Sequence, residues 1–253
     1  MSKRSIIWFR RDLRVSDHPA LLAAISESSE IVPVFILDPK LIKTGGSKRL
    51  AYLGQSLRAL DESLGNNLQV IAGDQLTVLK DLQKKYDAES VHISAEYEPY
   101  GATRDKNIEE GGIKLIRTGS PYAVAPGRVL KPSDNTPYRV YTPFYKAWCA
   151  HGWRKPAEKP KEIPAVKPSS EAREFPDWKL PEGVRLTKSG ELAALERFKY
   201  FQKNGLDSYD EARNLAAIDG TSKMSAHLKW GEIHPRTLLA PLGESKAHDV
   251  FRK

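Results

Sequence analysis

Ile6-Ile7-Trp8-Phe9-Arg10-Arg11-Asp12-Leu13-Arg14-Val15-Ser16-Asp17-His18-Pro19-Ala20-Leu21 decides the fold. A short apolar strand runs into a loop with three arginines and two aspartates. Asp17 and Pro19 then signal the start of a helix. The loop holds too many polar groups of fixed geometry for an arbitrary turn. It also stands where a dinucleotide-binding protein would carry its glycine-rich phosphate turn. No G-x-G-x-x-G follows the strand, so an ordinary dinucleotide site is not expected there.

Outward from this stretch, apolar runs rich in Val and Ile recur at 6–9, 31–37, 68–72, 91–94 and 113–116. Each has strand length. Between them lie helical patterns, the clearest being Leu50, Leu53, Leu57, Leu60 and Leu64, whose spacing makes one leucine stripe. Ser47 is the expected N-cap and Gly65 the stop; Asp74 introduces Leu76, Leu79 and Leu82 in the same way. Five strands alternating with helices predict an α/β fold, a doubly wound parallel five-stranded sheet with its ligand crevice at the carboxyl ends of the strands.

Residues 154–183 break this pattern. Pro156, Pro160, Pro164, Pro168, Pro176 and Pro181 are spread among charges, which predicts an extended, surface-hugging linker. Trp148 and Trp153 precede it, and Phe175 and Trp178 lie within it. Beyond it only helical patterns follow: one through Leu192, Leu195, Phe198 and Phe201, one from Tyr209 to Ile218, one from about Thr221 to Trp230, and one opened by Pro235. The expected division is 1–130, 131–185 and 186–253.

The chain has 253 residues, 40% of them hydrophobic, and a single cysteine, Cys149. One cysteine excludes an intramolecular disulfide framework and a cysteine-based zinc site. No apolar run reaches the ~20 residues that span a bilayer, and the segment after Met1-Ser2-Lys3-Arg4 is too short for a signal peptide. A cytoplasmic location is the default expectation, with no membrane partner. The net charge is +8. Residues 1–130 carry 18 Lys and Arg against 16 Asp and Glu, and residues 131–253 carry 22 against 16. The basic excess therefore lies in the second half. It suits either docking to a polyanion or a solubilising surface.

Gly220-Thr221-Ser222-Lys223-Met224-Ser225 places hydroxyls and a lysine where a helix begins. That arrangement suits an anion such as a phosphate, or ordinary capping by Thr221 or Ser222.

Several segments, in order, resemble class I photolyases of the photolyase/cryptochrome family. They are Trp8 to Arg14, Pro33-Val34-Phe35-Ile36-Leu37-Asp38-Pro39, Glu98-Pro99-Tyr100-Gly101-Ala102-Thr103-Arg104-Asp105, and Tyr141-Thr142-Pro143-Phe144-Tyr145-Lys146-Ala147-Trp148. Tyr209-Asp210-Glu211-Ala212-Arg213 and Gly220 to Leu228 follow. The resemblance implies an N-terminal Rossmann-like antenna domain, a long linker, and the start of an all-helical domain that holds FAD. It implies blue-light-dependent repair of cyclobutane pyrimidine dimers by an electron from reduced FAD, on a lesion flipped out of the duplex.

By matching motif, Tyr209, Thr221, Ser222, Lys223, Met224 and Ser225 are the implied flavin contacts, with Lys223 where many relatives have arginine. Arg213 is the implied contact to damaged DNA. The early arginines are implied to be mainly structural. Glu98 to Asp105 is either a helix start or part of an antenna site for methenyltetrahydrofolate or 8-hydroxy-5-deazaflavin.

Members of the family are usually monomeric and continue well past residue 253. No catalytic residue is therefore expected within this chain, and a C-terminal half encoded separately would complete it. The helices after Leu186 are expected to expose apolar faces. A cryptochrome-like photoreceptor and an antenna-binding module without repair activity are the competing readings.

Overall fold

The computed structural model describes residues 3–253; Met1 and Ser2 of the N-terminal reading lie outside them. Five strands form the core: β1 (Arg4–Phe9), β2 (Glu30–Leu37), β3 (Gln69–Ala72), β4 (Ala88–Ile93) and β5 (Leu115–Arg117). All pairings are parallel and the order is β3-β2-β1-β4-β5. The order reverses at β1, so a crevice opens beyond the carboxyl ends of β1 and its neighbours. This is the doubly wound sheet that the apolar runs predict.

Alternation along the strands assigns the two faces. Ile7, Phe9, Ile31, Phe35 and Leu37 pack under α1 (Pro19–Glu27), α2 (Pro39–Thr44) and α3 (Ser47–Ser63). Ile6, Trp8, Val32, Val34 and Ile36 pack under α4 (Gln75–Tyr86) and α5 (Pro99–Glu110). The leucine stripe is buried as expected: Leu53, Leu57, Leu60 and Leu64 all belong to the first layer.

Capping differs in two places. Ser47 is the first helical residue and Gly46 is the N-cap of α3. The cap of α1 is His18, whose Nδ1 accepts the Leu21 N–H at 3.1 Å. Asp17 is unavailable because its carboxylate is already taken by Arg236 and by the Ala157 N–H. Asp74 does cap α4, accepting the Thr77 N–H at 3.0 Å.

After the sheet come α6 (Tyr141–His151) and the extended segment, interrupted only by a 3₁₀ turn at Ser170–Ala172. The segment lies along the sheet edge. Ile31 donates to Pro164 O at 2.8 Å and Val166 donates back to Ile31 O at 2.9 Å. Glu174 bonds Val70 O, Arg173 pairs with Asp61 at 2.6 Å, and Phe175 and Trp178 pack on the first layer.

The remaining helices are α7 (Glu191–Asn204), α8 (Tyr209–Ala212), α9 (Ser225–Trp230), α10 (Pro235–Leu239) and α11 (Lys246–Arg252). Ala194, Phe198, Phe201, Leu206, Met224, Ile233 and Leu238 form their small core. Two expected helices are shorter than their patterns. The one from Tyr209 ends at Ala212, because the chain folds back until a Cβ on Gly220 would stand 2.4 Å from Ala212 O. The one from Thr221 begins only at Ser225, because Lys223 adopts φ 57°, a left-handed conformation that a helix cannot contain. Leu192 and Tyr200 on α7, and Leu215 and Ile218 in the turns after α8, remain more than half exposed, so this part of the chain does present apolar surface.

Glu232, fully buried, ties the helices to the sheet layer. It accepts from Ser56 Oγ at 2.6 Å, Gly190 N at 2.7 Å, Tyr52 OH at 2.8 Å and His227 Nδ1 at 2.6 Å. Removing the carboxylate takes this acceptor from four buried donors; Ser56 Oγ keeps Tyr52 O at 2.9 Å, and Gly190 N is left with no acceptor. Glu232→Ala is expected to cost about 3–5 kcal/mol in urea unfolding.

His234 supplies a second tie. Its Nδ1 accepts the Arg236 N–H at 3.1 Å and its Nε2 donates to Ser120 O at 2.9 Å, so the ring is neutral. Burial and the Arg14 charge push its pKa down from 6.5 to about 3. The unfolded chain therefore carries the extra proton between those values, and stability falls as pH drops through that window, by up to about 1.4 kcal/mol per pH unit. Urea unfolding between pH 7 and 4 is expected to show this slope, and His234→Gln to flatten it.

Candidate functional site

Two concavities flank α9. The first is a crevice of about 270 Å³ at the carboxyl ends of β1 and β2. Its floor is Trp8, whose indole carries the guanidinium of Arg10 at 4.9 Å and that of Arg104 at 4.8 Å. Both arginines converge on Asp105, at 2.8 and 2.7 Å. The walls add Phe35, Leu37, Leu41 and Arg49, and Lys229 and Trp230 arrive from α9. Arg11 pairs with Glu98 at 2.6 Å, which holds that carboxyl below its usual range. Burial and the neighbouring Arg11 charge lower the Lys229 pKa. Five cationic side chains, Arg10, Arg11, Arg49, Arg104 and Lys229, stand in the lining against three carboxylates, Asp38, Glu96 and Glu98, so the crevice carries a modest positive surplus. Tyr100 donates to Asp38, the N-cap of α2.

The loop after β1 thus does two things. Arg10 and Arg11 line the crevice. Asp12 turns inward and accepts from the Arg10 N–H at 2.8 Å and from Ser94 Oγ at 2.6 Å. Burial raises the Asp12 pKa, but the adjacent His18 and these hydrogen bonds outweigh it and hold the carboxyl ionised. The expectation of mainly structural arginines fits Arg14, and Arg10 and Arg11 combine bracing with crevice lining. Glu98 and Tyr100 stand at the start of α5, as the helix-start reading expects, and both also line the crevice.

The second concavity is an apolar groove of about 690 Å³. Tyr122, Val124, Leu130 and Tyr138 form one wall and Phe144 and Trp148 of α6 another. Ser222, Met224, Leu228, Leu238 and Phe251 close it. Of the residues singled out in the sequence, Ser222 and Met224 therefore reach the groove directly. Tyr209 stands behind it, its ring edge-on to Phe251 at 5.2 Å and to Phe201 at 5.7 Å. Thr221 and Ser225 are exposed beside it. Lys223 is exposed and turned to Asp219 at 2.8 Å. Arg213 lies over the Tyr209 ring at 5.9 Å and, among the described residues, its guanidinium makes no hydrogen bond.

The backbone at 221–224 is distinctive. Arg197 holds the carbonyls of Thr221 and Ser222, each at 3.0 Å. The N–H groups of these four residues meet no acceptor among the described residues. They are free donors beside an apolar groove. Arg49, Lys229, Trp230 and Tyr138 were not singled out by motif; the basic pair Lys48-Arg49 ahead of the leucine stripe and Lys229-Trp230 directly after Leu228 were the available signals. No group of three or more His, Cys, Asp or Glu suits a metal among the described residues, and no helix there is long and apolar enough to cross a membrane.

A family profile described as DNA photolyase matches residues 5–165. The deoxyribodipyrimidine photo-lyase of Agrobacterium fabrum (strain C58) is 33% identical over 246 residues, covering 91% of this chain and 51% of that protein. An uncharacterized 31.6 kDa protein encoded in the atpI 5′ region of Synechococcus sp. (strain PCC 6716) is 31% identical, covering 93% of this chain and 87% of that one. The crystal structure of a bacterial class III photolyase from Agrobacterium tumefaciens superposes with a TM-score of 0.87 at 30% identity, over all of this chain and 56% of that one. The chain spans about half the length of the photolyases it matches. With more than half of its residues inside the profile and its fold superposing on that of a photolyase over the whole chain, the chain belongs to the DNA photolyase family.

Proposed function

We propose that this chain supplies the antenna side and the first flavin contacts of a light-driven repair enzyme for cyclobutane pyrimidine dimers in DNA. The observation that carries the reading is the run of free N–H donors at 221–224 beside a groove walled by aromatic and aliphatic side chains. Such a site suits a ligand with both phosphates and a flat apolar ring system, and FAD is such a ligand. FAD, once reduced and photo-excited, supplies the electron that splits the dimer. The chain's own residues bind and orient it. Thr221, Ser222 and Ser225 offer hydroxyls and the backbone of 221–224 offers donors to the phosphates, while Met224 and the aromatics exclude water from the rings. Lys223 contributes by backbone, since its ammonium is engaged by Asp219.

The electropositive crevice above Trp8 fits an anionic antenna pigment. Folate and deazaflavin both meet that description. We assign residues 1–130 to the antenna domain, 131–185 to the linker and 186–253 to the beginning of the flavin-binding helices. Arg213, unpaired and exposed, is the proposed contact to a DNA phosphate. The greater basic excess of residues 131–253 supports that side as the docking face.

Titration of the purified chain with FAD, followed by flavin fluorescence, tests the phosphate contacts. Ser222→Asp places a negative charge against them and is expected to weaken binding by roughly tenfold or more, equivalent to about 1.4 kcal/mol; an unchanged affinity contradicts the assignment. Arg213→Ala is expected to weaken binding to dimer-containing duplexes evenly across sequences and to lower the salt slope by about one. A light-dependent repair assay on flavin-loaded protein separates the readings. Dimer splitting supports the repair enzyme, and flavin photochemistry without splitting supports a photoreceptor.

A further inference from the structure

Residues 39–60 hold five Lys and Arg and no Asp or Glu, while the rest of the first 130 residues hold 13 Lys and Arg against 16 Asp and Glu. Four of the five, Lys40, Lys43, Lys48 and Arg49, fall close together in sequence, and all four are exposed. They form a positive island on a domain that is otherwise net negative. Lys40 and Lys43 lie one turn apart on α2, and Lys48 and Arg49 open α3. Only Gly45 and Gly46 separate the two helices, and a Cβ on Gly45 would stand 2.6 Å from the Leu50 side chain. The corner is therefore tight, and both pairs of cations share it.

The surrounding structure leaves the island uncompensated. The carboxylates that flank it in sequence, Asp38 and Asp61, are buried and already engaged. Asp38 accepts the Lys40 N–H at 2.8 Å and the Tyr100 hydroxyl. Asp61 accepts the Leu68 N–H at 2.9 Å and pairs with Arg173 at 2.6 Å. Among the described residues, none of the four cations is ion-paired, whereas Lys3, Arg4, Arg10, Arg11, Arg104 and Arg117 each are. Arg49 also lines the crevice, so Lys40, Lys43 and Lys48 are the members with no other task in the fold.

We propose that the α2–α3 corner is a docking surface for the sugar-phosphate backbone of duplex nucleic acid, separate from Arg213 and indifferent to base sequence and damage. Three kinds of partner carry the charge it asks for. A protein interface draws its strength from buried aromatic and aliphatic anchors. An anionic membrane holds a protein stably only when cations are joined by an inserted apolar face or a lipid chain. Neither condition is met, because the apolar residues of α2, Leu41 and Ile42, turn to the crevice and the core. A duplex needs no apolar contact. It presents one negative charge per ~1.7 Å of its axis, and neutralising its phosphates releases counterions, so lysine contacts alone sustain sequence-independent binding.

The test uses the whole chain and a fluorescent, undamaged duplex, with anisotropy read across a salt series. The parent is expected to bind, with log K falling linearly as log salt concentration rises. Lys40→Gln, Lys43→Gln and Lys48→Gln together are expected to weaken binding roughly tenfold or more at low salt and to flatten the slope by about three. Urea unfolding of this triple variant is expected to match the parent, because the three side chains are exposed and unpaired. Lys80→Gln, Lys84→Gln and Lys114→Gln remove the same charge from other exposed positions of the same domain and are expected to leave the slope near that of the parent. A parent that does not bind, a slope unchanged in the first triple, or an equal loss in the second overturns the proposal. Binding to phosphatidylglycerol vesicles that is lost in the first triple while its duplex affinity stays at the parent value also overturns it, in favour of a lipid surface. Neither flavin nor dimer is present, so a failure here leaves the FAD titration and the Arg213 prediction standing.

Discussion

Arg14 is buried almost completely, and a lone guanidinium in that position is untenable. Its burial is tolerated because Asp12, Asp17 and Glu191 surround it with negative charge. Its Nη1 donates to Gly231 O at 2.9 Å and its Nη2 to Asp17 O at 2.8 Å. Glu191, the first residue of α7, accepts the N–H groups of Val15 and Ser16, both at 2.9 Å. Arg236 closes the cluster on Asp17 at 2.5 Å. The loop after β1 is therefore locked from the helical side. Gly231 approaches so closely that a Cβ there would lie 1.9 Å from Arg11 O, and its φ of 65° disfavours most other residues on a second ground. With the loop fixed, Arg10 and Arg11 have one direction left, into the crevice.

Helix α9 is where this constraint meets function. Lys229 and Trp230 at its end enter the crevice, while Met224 before it and Leu228 within it enter the groove. Six residues of helix span only ~9 Å. Under the proposed reading, an antenna pigment and the flavin lie on two sides of one short helix, whose position the Glu232 and Arg14 clusters set.

Much of the fold was legible because it rests on local pattern. Strands buried on both faces read as continuous apolar runs, and the α3 leucine stripe has a single period. What was illegible depends on long-range partners. Nothing near Asp17 in sequence indicates that Arg236 will take its carboxylate and leave His18 as the cap. The apolar residues Leu215 and Ile218 continue a helical pattern beyond Ala212, yet Gly220 packs where the next turn would go. The site was half legible. Ser222 and Met224 reach the groove, whereas the crevice residues Arg49 and Lys229 come from elements whose approach no local signal encodes.

The central claim is that the post-β1 loop is a brace between the sheet and the helices, and that crevice and groove are shaped through it. Hydrogen exchange read by mass spectrometry on Glu191→Gln tests this most directly. The account predicts that protection falls together in residues 13–16, in α7 and in α9, because one buried cluster holds all three. A loss confined to residues 13–16, with α7 and α9 as protected as in the parent, would contradict it.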